Sequence, residues 1–206
     1  MNLIDYSLLG RVSESYRRLG FVRVESPWWV TKEILDITKP PFVETEDYMI
    51  GANKKCLVAS GEQSLLYLIN KGQLPPGKYQ TITPCFRNEP FDPYHSKYFM
   101  KLELMNLLGS EDKYNICLED MLDTIRDTLF FLIRGHASLD ETDQYKYDPT
   151  IVPGTKTYDL NVRVGDSIVE LGSYGVRHCD FATWVYGTGI AEPRFSKVNA
   201  RLDFLR

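Results

Sequence analysis

An α+β fold built on antiparallel hairpins is predicted by three features of this sequence. Two strand-like runs, 79–86 and 98–107, flank a short polar segment. A second strand pair meets across Gly165-Asp166, a dipeptide suited to a two-residue hairpin turn. Two long stretches, 3–19 and 112–134, place apolar residues at helical spacing.

In chain order, Leu3, Leu8, Leu9, Val12, Tyr16 and Leu19 form one apolar stripe, and Gly20 stands where a helix C-terminus favours glycine. Phe21 to Glu25 then alternates like a strand, which Pro27 stops or confines to an edge. Pro40-Pro41 breaks the chain again. Residues 56–59 read as a short strand, Ser60-Gly61-Glu62 as the start of a helix, and 63–70 as its body. Pro75-Pro76-Gly77 is a turn before the first hairpin. Leu118, Met121, Leu122, Ile125, Leu129, Leu132 and Ile133 give residues 112–134 the clearest helical stripe in the chain. Residues 136–154 are polar and read as a loop or lid.

The hairpin at 157–171 has a definite expected register. Val164 faces Ser167 and Asn161 faces Glu170, so Leu160, Val162, Val169 and Leu171 share an apolar face. Asp159, Asn161, Arg163, Ile168 and Glu170 share the opposite face, which is either the floor of a polar ligand site or simply solvated. Finally, Phe181–Tyr186 is apolar, and Gly187-Thr188-Gly189 leads toward a helix containing Arg194. The small residues allow close backbone approach, either for packing or to bring a helix N-terminus to an anion.

Bulk properties narrow the function classes. The 206 residues suffice for a core in one domain, read as 1–206, with 43% hydrophobic and 25% charged residues. Net charge is −4, from 24 basic and 28 acidic residues, which argues against a protein whose main task is gripping nucleic-acid phosphates. No apolar run is long enough to span a membrane, and Met1-Asn2-Leu3-Ile4-Asp5 lacks the pattern of a signal peptide. Cys56, Cys85, Cys117 and Cys179 form no C-x-x-C pair, consistent with free thiols in a reducing, cytoplasmic setting.

The segment Phe86-Arg87-Asn88-Glu89, followed by His95, Phe99 and Glu103, holds the most chemical information. Arg87 and Glu89, two apart on a strand, point to one face, and an aromatic ring follows on the next strand. A guanidinium for a phosphate, a carboxylate for a donor and a ring for a base make a nucleotide cradle. An ordinary hairpin with a cross-strand Arg–Glu pair has the same residues, so this segment alone does not decide.

Taken together, the segments resemble the catalytic core of class II aminoacyl-tRNA synthetases, whose three motifs occur here in order. Residues 6–29, a helix followed by a strand closing on Pro27-Trp28-Trp29, match the first. Phe86, Arg87, Glu89, His95 and Phe99 match the second in full. Gly187, Gly189 and Arg194 match the third, which departs from the family pattern at Ala191, where glycine is usual, and at Pro193, where an acid is usual.

The resemblance implies one antiparallel sheet flanked by helices, with a bent ATP lying on it and Mg2+ as its counter-ion. By the same resemblance, Arg87 holds the α-phosphate and Phe99 stacks on adenine. Arg194 covers the other face or reaches the γ-phosphate, His95 meets the γ-phosphate end, and Glu89 contacts the adenine side. Glu170 stands where the family keeps a magnesium-binding glutamate, with Asp159 on its face. Ser60, Glu62 and Gln63 are placed to hold the amino-acid substrate, Glu62 as partner of its ammonium. Ser173 and Tyr174 are placed at its side-chain end. Helix capping and packing would account for the same residues.

The implied activity is amino-acid activation to an aminoacyl-adenylate, with a tRNA, a carrier protein or another small acceptor taking the product. A homodimer through residues 3–29 is expected, and no anticodon-binding or editing domain is evident. Two other readings stay open. One is a non-catalytic paralogue acting as a binding or regulatory subunit; the other is an unrelated α+β protein.

Overall fold

The computed structural model describes residues 3–39, 46–51, 55–88, 92–133, 136–143 and 147–204. Among these residues ten strands and five α-helices follow one another, and seven of the strands form a single large sheet.

Helix α1 (Tyr6–Arg18) begins three residues later than its apolar pattern does. Asp5 is the reason: its side chain accepts a hydrogen bond from Leu8 N and fixes the N-cap. Strand β1 (Val22–Arg23) is short, and β2 (Trp29–Thr31) leads into α2 (Lys32–Ile37). Strands β3 (Met49–Ile50) and β4 (Lys55–Leu57) join β2 in a small three-stranded sheet, ordered β2-β4-β3. Helix α3 (Gly61–Asn70) follows, and then the first long hairpin, β5 (Gly77–Phe86) and β6 (Tyr98–Leu107).

Helix α4 (Tyr114–Ile125) keeps the expected stripe but loosens into a π-helical turn over Arg126–Phe130. Strand β7 (Ala137–Thr142) lies where the sequence suggests a loop. That expectation is corrected because β7 is an edge strand pairing only with β8 among the described residues. Its alternate side chains are exposed or half-buried, so no apolar period marks it. Strands β8 (Thr157–Val164), β9 (Ser167–Cys179) and β10 (Ala182–Glu192) complete the sheet, and α5 (Arg194–Phe204) closes the described chain.

The large sheet runs β1-β5-β6-β10-β9-β8-β7, antiparallel throughout except for the β1–β5 pair. It divides two apolar layers. Residues Met100, Leu102 and Leu104 of β6 face α1, α4 and α5, together with Tyr174 and Val176 of β9. Met105 and Leu107 of β6 face the other way, meeting Trp184 and Tyr186 of β10 and Leu65 and Leu66 of α3. Strict alternation along β6 thus assigns even numbers to one layer and odd numbers to the other.

The hairpin at β8–β9 has the expected register, with Val164 opposite Ser167 and Asn161 opposite Glu170. Beyond it the register shifts, so that Leu160 faces Gly172 and Asp159 faces Ser173. Leu171 is the extra residue of a β-bulge. A second bulge lies on β10, where Thr188 faces Glu103 and Ile190 faces Leu102, leaving Gly189 over. The strand therefore continues through the glycines to Glu192, so of the two readings of Gly187-Thr188-Gly189 the helix N-terminus falls away and packing remains. Packing explains them: a Cβ on Gly189 would lie 2.3 Å from Leu102 Cδ2 and 3.0 Å from Leu102 O.

Candidate active site

The two bulges build the site. Side chains three apart on a regular strand point to opposite faces. The extra residue at Leu171 places Glu170 and Ser173 on one face, and Gly189 does the same for Thr188 and Ala191. All four line a cavity of about 220 Å³ on the face of the sheet that carries α3. Phe99 and Lys101 of β6 line it from the middle of the sheet, and Arg87, just beyond β5, closes one side. Ser60, Glu62 and Gln63 at the start of α3 form the roof, beside residues of α2 and the small sheet. Arg177 and Tyr186 close the far end.

Arg87 is held in place rather than loosely solvated. Its Nε donates to Ala59 O at 3.0 Å, and its guanidinium lies 5.2 Å from the centre of the Phe99 ring. It sits one residue past the strand, although its amide still bonds Lys97 O at 3.0 Å. Glu89 lies outside the described residues. Arg194, the first residue of α5, donates from Nη1 to the carbonyl of Glu170 at 3.0 Å. The third-motif arginine is thereby joined to the expected metal-binding glutamate.

His95 does not line the main cavity. It lies in a small adjoining crevice with Ser96, its Nδ1 2.5 Å from Asp92 Oδ2. Phe99, Ala191 and Arg194 border both spaces, so the Phe99 ring stands between them.

The start of α3 shows capping and a further purpose together. Ser60 is the N-cap, and Gln63 completes a capping box by accepting from Ala59 N at 2.8 Å and Ser60 N at 3.3 Å. Gln63 Nε2 also donates to Leu35 O and Thr38 Oγ1, so its polar atoms serve the fold. Ser60 Oγ bonds Glu103, whose Oε2 also accepts from Glu62 N at 3.3 Å. The carboxylate of Glu103 thus sits at the positive end of α3. Gly61 makes this approach feasible, because a Cβ there would be 2.9 Å from Glu103 Cβ and from Thr83 Oγ1.

Glu62 is buried, with both oxygens engaged. Oε2 accepts from Arg177 Nη1 at 2.7 Å and Oε1 from Trp184 Nε1 at 2.7 Å. Arg177 reaches Asp148 as well, at 3.2 Å, and lies 4.3 Å from the centre of the Tyr186 ring. Burial opposes the charge on Arg177, but Glu62, Tyr186 and Asp148 outweigh it and hold its pKa above the ordinary value. Two carboxylates for one guanidinium leave the cluster one negative charge in excess.

Ser173 lines the cavity, whereas Tyr174 does not. Tyr174 is fully buried in the layer toward α4, its hydroxyl donating to Thr188 O at 2.9 Å. Its expected place at the side-chain end is therefore corrected by strand alternation. Asp159 stands beside Ser173 in the register, buried and outside the cavity lining. Burial and the nearby charge of Glu170 push its carboxyl up to about 7. Among the described residues no three His, Cys, Asp or Glu side chains converge on a metal position. Glu170 on the cavity wall offers one carboxylate, which fits a magnesium ion whose other ligands are phosphates and water.

Lys101 and Arg177 are among the cavity residues that the sequence reading did not single out. Lys101 could have been, since it stands two beyond Phe99 on one strand face. Arg177 could not, because its partners lie far off in the chain.

Neither a protein-family model nor a curated protein matches the chain. Solved structures do. A cytoplasmic serine–tRNA ligase from Naegleria fowleri, in complex with AMP, matches at TM-score 0.74 and 16% identity, over 93% of this chain and 52% of that one. Seryl-tRNA synthetase from Pyrococcus horikoshii, complexed with ATP, matches at 0.72 and 15% identity, over 95% of this chain and 49% of that one. The fold is that of the class II aminoacyl-tRNA synthetase core. A pyrrolysyl-tRNA synthetase of Desulfitobacterium hafniense shares it at TM-score 0.67 and 23% identity, over 94% of this chain and 66% of that one. The chain spans about half the length of the seryl enzymes it matches, and identities this low speak for the fold alone.

Proposed function

We propose that this synthetase-like chain activates an amino acid with ATP and passes it, as the aminoacyl-adenylate, to an acceptor such as a tRNA or a carrier protein. The observation that supports this most is the convergence of Arg87, Phe99, Glu170 and Arg194 on one cavity from three separate segments. AMP and ATP in the two seryl structures lend support to a nucleotide there.

In this reading the adenine stacks on Phe99 near Arg194, and Arg87 holds the α-phosphate. A carboxylate oxygen of the amino acid bonds to the α-phosphorus as the bond to the bridging oxygen breaks, and pyrophosphate leaves with the electron pair. The attacking carboxylate is already ionised, so no general base is required. Catalysis is alignment together with charge neutralisation at the phosphorus, where preorganised donors are most effective. Glu170 would hold magnesium, with Asp159 behind it, and the ion would neutralise phosphate charge. His95 would face the γ-phosphate end from its crevice, and Glu89 the adenine side. Glu62 would receive the substrate ammonium beside its cluster's excess negative charge, with Ser60 and Ser173 nearby. A homodimer through residues 3–29 and a cytoplasmic site of action belong to the same proposal.

Amino-acid-dependent ATP–pyrophosphate exchange, run with magnesium and each of the twenty amino acids, tests it. Exchange with one or a few amino acids is expected. Arg87→Ala should lower that rate by about 10²- to 10³-fold, the usual loss for one preorganised donor, without changing the melting temperature. A folded protein that binds ATP without exchange would instead be a non-catalytic binding or regulatory subunit, a reading to which Pro193 in the third motif lends some weight.

A further inference from the structure

Lys101 has no part in the motifs, yet it occupies the centre of the cavity floor. It stands on β6 midway between Phe99 and Glu103, and all three share one strand face. Its ammonium lies 2.8 Å from Glu103 Oε1, and its side chain is only 12% exposed. Glu103 is itself fastened to the start of α3 by Ser60 Oγ and Glu62 N. Lys101 is therefore a fixed cation with donors to spare, since an ammonium has three N–H groups.

Its neighbours define what it can hold. Toward one end of β6 is Phe99, with Arg87 stacked over it, the place proposed for the nucleotide. Toward the other are Glu62 and Arg177, where the buried ion cluster has one negative charge in excess. The spare donors of Lys101, whose own charge Glu103 balances, and the carboxylates around Arg177 lie at different places along one cavity and match the two ends of an amino-acid zwitterion.

We propose that Lys101 binds the α-carboxylate of the amino-acid substrate and presents it to the α-phosphate held by Arg87. This assignment rests on the ligase reading above. Lys101 contributes charge and position only: the carboxylate oxygen forms the new bond to phosphorus, pyrophosphate departs, and no proton moves. A compact ammonium suits this task better than a guanidinium, because the carboxylate must stay free to turn toward phosphorus.

The test compares wild type, Lys101→Met and Lys101→Arg by pyrophosphate exchange, thermal unfolding and magnesium-ATP binding. Lys101→Met should fold, because Glu103 keeps its two donors at the α3 N-terminus. It should raise KM for the amino acid by about 10- to 100-fold, the usual span for losing a charged hydrogen bond, while KM for ATP stays within about twofold. Lys101→Arg keeps a cation beside Glu103 and should recover part of the loss in amino-acid KM. An unchanged amino-acid KM in Lys101→Met, or an equal rise in KM for ATP, overturns this role alone. ATP binding by wild type without exchange for any amino acid overturns the ligase reading, and this role with it.

Discussion

Asp159 carries a titration that should be visible in the stability of the whole chain. Its carboxyl is raised from 3.8 to about 7 by burial and then by Glu170, with Asp140 adding and a Thr142 hydrogen bond opposing. The folded state therefore holds this proton more tightly than the unfolded state does. The resulting stability is complete below about pH 3.8 and is lost as pH rises through about 7. The full effect is at most about 4 kcal/mol, from 1.36 kcal/mol per unit. Asp159→Asn should be more stable than wild type at pH 8 and should flatten the slope between pH 5 and 8 in urea unfolding. An identical slope in the two proteins would refute the assignment. At this scale the sequence was informative where a motif fixes chemistry and silent where a partner is distant. Arg87, Phe99, Glu170 and Arg194 were legible and do meet in one cavity. The engagement of Glu62 was not, because Arg177 and Trp184 stand 115 and 122 residues away.

Among the elements, helices and hairpins were legible and irregularities were not. The 79–86 and 98–107 runs are strands, and the β8–β9 turn has the expected register. Both follow from local alternation and turn chemistry. A bulge leaves no such trace, since one extra residue looks the same in sequence whether it is paired or not. Edge strand β7 escaped notice for a related reason: with one partner and little burial, it needs no apolar period. Gly189 offers the sharpest test of the bulge on β10. Gly189→Ala drives a methyl into Leu102, and Tyr16, whose hydroxyl bonds Gly189 O at 2.9 Å, must also shift. A loss of about 1–3 kcal/mol is expected in chemical denaturation, as for overpacking in other cores. A loss below about 0.5 kcal/mol would mean that the strand can relax around the methyl.

Across the whole molecule, the first helix and first strand leave apolar surface uncovered. Leu3, Tyr6, Val22 and Trp28 are all more than half exposed, and β1 pairs only with β5 among the described residues. Trp29, by contrast, is used within the chain, packed edge-on to Tyr67 and beneath the Lys55 ammonium. Such a surface next to an open sheet edge is suited to a second copy. Light scattering should give twice the chain mass at micromolar concentration, and Trp28→Glu with Val22→Lys should shift it to the monomer. A wild-type monomer under those conditions would remove the dimer from the proposal. The alternation along β6 has a wider consequence. At its start, Phe99 and Lys101 serve recognition, while the even positions, and Met105 and Leu107 farther along, serve cohesion. Variation can rewrite the hollow for another ligand while the oily layer on the opposite side goes untouched, so a change of preference in this scaffold need not pass through an unfolded ancestor.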